Sequence, residues 1–126
     1  MRVVNMDHLG GRQVDAFGSR NFTVFHLLPQ AHVVAASVEA GGSIGEHSAV
    51  VDQLLVLVAG RAIVAGGDGQ HQEVTSGQGV LWTAHESHRT DALTDITAQI
   101  IEGEGLADVM SRTSSSAAVS EARISR

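Results

Sequence analysis

The sequence predicts an all-β domain, a small β-barrel or sandwich, followed by a flexible C-terminal tail. Three observations carry that expectation. Short runs rich in valine, isoleucine, leucine and threonine recur between glycine turns over residues 1–104. Before Leu106 no stretch requires a helix of ordinary length. From residue 105 onward the strand pattern stops, and Ser111-Arg112-Thr113-Ser114-Ser115-Ser116 is too polar and too low in complexity to pack.

The elements follow in order. Residues 22–28 form the first strand candidate, ended by Pro29, and residues 32–39 form a valine-rich second. The strongest candidate is 53–65, broken near Gly60. Gly66-Gly67-Asp68-Gly69 suits a tight hairpin because Asp and Gly tolerate positive φ. Residues 70–75 alternate and return, 79–83 are apolar, and 94–102 close the set. With weaker pieces this makes about seven or eight strands. Residues 1–104 then form one domain, and 105–126 form a tail: a short helix near 106–112, then mobile chain.

Composition removes several function classes. The net charge is −6, and the eight basic residues, all arginine, are scattered rather than clustered. That argues against a phosphate-tracking surface, and with only Trp82, Phe17, Phe22 and Phe25 as aromatics a base-stacking surface is absent too; no nucleic-acid partner is expected. Cysteine is missing, which excludes disulfides, thiolate metal sites and cysteine nucleophiles, and fits a cytoplasmic setting. Neither an apolar run long enough to span a membrane nor a signal-peptide core at the N-terminus is evident, so no membrane association is expected.

Two polar islands point to chemistry. In the first, a glycine turn at Gly41-Gly42 leads to His47, and Gln53 heads an apolar strand. Residues two apart share a strand face, so Gln53, Leu55 and Leu57 line one face while Leu54, Val56 and Val58 line the other. Both faces are apolar, so the strand is buried on both sides, and the amide of Gln53 needs a hydrogen-bond partner or a ligand. The second island runs from Gly77 to His88, with His85 and Glu86 in the turn before His88. Two imidazoles and a carboxamide at strand mouths can meet inside one barrel.

This layout resembles the cupin superfamily of small β-barrels. Its first motif places a glycine, two histidines, a glutamate and a closing glycine. Here Gly41, five residues, His47, one residue, Ala49, three residues, Gln53, six residues and Gly60 reproduce the spacing. The second motif is matched by Gly77 and His88, with Thr83, His85 and Ala92 in its remaining positions. The resemblance covers roughly residues 30–104. It implies a cupin-like barrel or jelly roll, a homodimer, and a divalent metal (zinc, nickel, manganese or iron) held by His47, Gln53 and His88. Ala49 replaces a histidine ligand, and Gln53 replaces a charged ligand with a neutral one. Non-redox Lewis-acid chemistry on a small organic molecule, of isomerase or lyase type, then fits better than oxygenase chemistry. Glu86 or His85 would transfer the proton. The rival reading is a metal-free barrel in which His47, Gln53 and His88 hydrogen-bond a bound small molecule.

Overall fold

The computed structural model of the protein describes residues 1–111. Among these residues are eleven strands: β1 (Arg2–Asn5), β2 (Arg12–Val14), β3 (Phe22–Val24), β4 (His32–Val38), β5 (Ser43–Ser48), β6 (Gln53–Ala59), β7 (Arg61–Ala65), β8 (His71–Thr75), β9 (Gln78–Trp82), β10 (Ser87–Ala92) and β11 (Ile96–Glu102). They form a five-stranded sheet in the order β1-β9-β6-β11-β4 and a four-stranded sheet in the order β5-β10-β7-β8. The separate hairpin β2–β3 joins neither. All pairings are antiparallel.

One apolar core lies between the two large sheets. Leu55, Leu57, Val80, Trp82, Ala98 and Ile100 enter it from the five-stranded sheet, and Ala62, Val64, Val74 and Ala92 from the four-stranded one. Each fully buried leucine or valine contributes about 1.5–3 kcal/mol by leaving water. Leu54 faces the other way, into a second cluster with Leu81, Leu106 and Met110. The two-sided burial expected of the strand from Gln53 is observed only over its first part: a helix over residues 106–111 covers Leu54 and Val56, while Val58 is 55% exposed, beyond the reach of that helix. Leu106 and Met110 are fully buried there. The rest of the expected tail, 112–126, lies outside the described residues.

Gly60 makes the break between β6 and β7. Its φ is +91°, and a Cβ at this position would strike the Asp95 carbonyl and the Thr94 hydroxyl. Only glycine turns the chain here from one sheet to the other.

The structure differs from expectation in two further places. The strand expected over 22–28 ends at Val24, because Phe25, Leu27 and Leu28 instead pack on the second cluster, outside any ladder. Strands β1, β2, β5 and β10 were not anticipated. The segments Ser43–Ser48 and Ser87–Ala92 are too polar to resemble half-buried strands, yet β10 buries His88, Thr90 and Ala92 in strict alternation. The outer face of the four-stranded sheet is solvated and carries the ion pairs Arg61–Glu73 and Arg89–Asp91. No helix among the described residues is long and apolar enough to cross a membrane.

Candidate functional site

The two islands meet at one end of the barrel. His47 on β5 and His88 on β10 are direct cross-strand partners. Side chains at such partners lie on the same face. The register brings His88 opposite His47 but Thr90 opposite Ile44, so β5 carries one extra residue over this span. That β-bulge, at Gly45–Glu46, lets both Ile44 and His47 face inward although they are three residues apart. Their ring centroids, His47 to His88, are 4.3 Å apart with a 58° tilt. Glu46 points the opposite way and accepts a hydrogen bond from the Ser87 hydroxyl at 3.0 Å.

Both imidazoles are anchored alike. Nδ1 of His47 lies 2.7 Å from the Gly45 carbonyl, and Nδ1 of His88 lies 3.0 Å from the Glu86 carbonyl. A carbonyl only accepts, so each Nδ1 carries a proton, and in the neutral ring the lone pair is then on Nε2. His88 is 3% exposed, and its buried Nε2 has no hydrogen-bond partner among the described residues. Its ring stacks on Trp82 at 4.4 Å and 24°. Burial pushes the His88 pKa below its ordinary value; the neighbouring His47 pushes the same way, against the Glu86 carbonyl bond and the Glu86 and Glu102 charges. The neutral, lone-pair-bearing form is thereby favoured.

Gln53 is 6% exposed and stands in register with Trp82, on the inner face. It thus sits beside the residue on which His88 stacks, but no hydrogen bond joins its amide to either imidazole. Ala49 is 3% exposed, so its methyl group takes a buried position with no donor atom.

The turn residues occupy a different setting. The Glu86 carboxylate accepts hydrogen bonds from the Thr83 and Gly67 amides and the Thr83 hydroxyl, and pairs with the Met1 amine at 2.8 Å. Burial raises its pKa, yet these bonds outweigh burial and hold it below the usual value. A proton-transfer role for Glu86 would have to break this clamp. His85 is exposed at φ 71°, with its amide donating to the Ala49 carbonyl at 2.6 Å. No ring contact connects its side chain to the imidazole pair. Arg61 and Arg89 are held by Glu73 and Asp91 on the solvated face. His26 is exposed.

One inward-facing residue at this end of the barrel escaped the sequence reading. Glu102 closes β11, opposite Gln53 on one side and His32 on the other. The alternation that buries Ala98 and Ile100 in the core places Glu102 on the same inner face, at the rim.

No family profile matches the chain, and no curated protein sequence does. Solved structures do match. A cupin superfamily protein from Desulfitobacterium hafniense superposes with a TM-score of 0.56 at 18% identity, over 61% of this chain and 70% of that one. An RmlC-like cupin family protein with a double-stranded β-helix fold from Methanocaldococcus jannaschii gives 0.55 at 9% identity, over 63% and 74%. A conserved protein of unknown function from Streptococcus pyogenes gives 0.55 at 21% identity, over 57% of this chain and 62% of its own length. With two antiparallel sheets around one core, and these neighbours, the chain has the cupin fold, the double-stranded β-helix.

Proposed function

We propose that the barrel mouth binds a divalent metal through Nε2 of His47 and His88, with the Gln53 carbonyl as a third donor, and through it a small organic molecule. The observation that supports this most is the buried, unpartnered Nε2 of His88 beside the identically anchored ring of His47. Metal-ligating histidines characteristically give their other nitrogen to a carbonyl or carboxylate, which fixes the tautomer. An orphaned buried nitrogen costs about 1–3 kcal/mol unless a ligand satisfies it. A metal bound there would supply Lewis-acid polarisation of a carbonyl or carboxylate. The chain's own part is to hold two imidazoles, each anchored through Nδ1, at a fixed angle, one of them against Trp82.

A second reading has its own observation. Among the described residues no three His, Cys, Asp or Glu side chains converge on one point. Two imidazoles and a neutral amide make a weaker metal set than a charged one. In the metal-free reading the same two Nε2 atoms accept hydrogen bonds from a bound molecule.

Metal analysis of protein purified without a histidine tag separates the two. The metal reading expects near-stoichiometric metal in the wild type, lost in His47→Ala, and a melting temperature that drops with chelator and recovers on adding metal. Substoichiometric metal in both proteins, with no chelator effect, refutes it in favour of the metal-free site.

A further inference from the structure

The imidazole pair lacks an acidic partner within its own islands: Gln53 is neutral, Glu46 takes the Ser87 hydroxyl, Asp52 takes the Ala84 and Ala107 amides, and Glu86 is committed to its turn. We propose that Glu102 is the carboxylate that faces a molecule bound at His47 and His88, and that it selects molecules presenting an N–H or O–H donor over dicarboxylates. This rests on the proposed function in one respect only: the imidazole pair is the binding point.

The geometry comes from register. Glu102 pairs with Gln53, and Gln53 pairs with Trp82, so the three form one row across the inner face of the five-stranded sheet. The Trp82 end of that row stacks on His88 of the opposite sheet. The imidazoles and Glu102 therefore flank the same end of the barrel from different sheets. Unlike Glu86, Glu102 is not clamped. The His32 imidazole lies beside it, with Nδ1 4.0 Å from Oε2, beyond hydrogen-bond length, and the Glu102 side chain is 32% exposed. Because no three such groups converge on one point among the described residues, Glu102 stands apart from the imidazoles rather than sharing an ion with them.

An ionised carboxylate only accepts hydrogen bonds. A molecule held by the imidazoles and turning an amine or hydroxyl toward Glu102 gains a charge-assisted hydrogen bond. A molecule turning a second carboxylate there meets like charge in a partly desolvated mouth, on a chain whose net charge is already −6.

The test uses the full tag-free chain loaded with Ni²⁺, with imidazole as the donor-bearing probe and oxalate as the dicarboxylate. Trp82 is the single tryptophan, so its fluorescence reports on the site directly. In Glu102→Gln, oxalate is expected to bind about fivefold more tightly and imidazole about fivefold more weakly. Affinities for both probes unchanged within about twofold would overturn the proposal. Should Glu102→Gln fail to fold, Glu102→Asp carries the test: it keeps the rejection of oxalate and weakens imidazole, whereas wild-type behaviour toward both probes overturns the proposal. If Ni²⁺ does not bind, the metal reading fails separately. The probes are then titrated against the metal-free chain, where the same opposite shifts support the role of Glu102 and their absence, or no binding of either probe, ends it.

Discussion

His47 and His88 are cross-strand partners with the same backbone anchor, yet they live in different surroundings. His88 is buried against Trp82 on a regular stretch of β10, while His47 is exposed and reaches the mouth only through a bulge in β5. The anchor itself does not make a site: His71 has the same contact, Nδ1 to the Gly69 carbonyl at 3.0 Å, on an exposed strand with no second imidazole against it. Convergence and burial separate the pair from that case. His88 belongs to the core as well as to the pair, whereas His47 belongs to the pair alone.

That contrast is most easily broken at His88. His88→Ala removes a buried ring from the Trp82 stack and should lower stability by about 2–4 kcal/mol, as a shift in urea midpoint, while abolishing metal binding. Glu86→Ala is next. Losing its bonds to the Thr83 and Gly67 amides should cost about 2 kcal/mol in the same assay. Its metal affinity should change little once the variant is folded, whereas a collapse of affinity in stable protein would restore Glu86 to the site. His47→Ala should change stability by no more than about 0.5 kcal/mol, because the ring is exposed. Its metal affinity should nonetheless fall at least about tenfold, by equilibrium dialysis. A large stability loss in His47→Ala would mean that the two histidines are not divided in this way.

The smallest effect is the dependence on pH. Burial holds the His88 pKa below its ordinary 6.5, so the unfolded chain takes up this proton before the folded one does. In metal-free protein the contribution is complete above about pH 6.5 and is lost as pH falls toward the lowered folded value. The urea midpoint should therefore fall over that window in the wild type and fall less in His88→Gln. A midpoint that rises as pH falls through the same window would contradict the direction of the shift.

Much of this was legible in the sequence for local reasons. The spacing from Gly41 to Gly60 located His47 and Gln53, and the apolar run gave β6 its inner face and the Leu54 end of its outer one, although Val58 is exposed. Gly60 and Gly69 marked turns because their backbones sit at positive φ. What could not be read depends on register between distant strands. The bulge that turns His47 inward is defined only by pairing with β10. Glu102 looks like the polar end of a strand until β11 is laid against β6 and its partner is seen to be Gln53. Glu86, two residues before His88 in sequence, looked closer to the chemistry than Glu102, although its carboxylate is turned into the clamp that closes its own loop.

The central claim is that the two Nε2 atoms, one on an exposed residue and one buried, act together on one ion. Titrating metal-free protein with Zn²⁺ while following Trp82 fluorescence, alongside equilibrium dialysis for stoichiometry, tests this most directly. The account predicts one ion per chain, a fluorescence change that saturates with it, and loss of both in His47→Ala although His47 is not the residue stacked on Trp82. Zinc that binds equally well without His47, or a titration with no saturable site in the wild type, would contradict it.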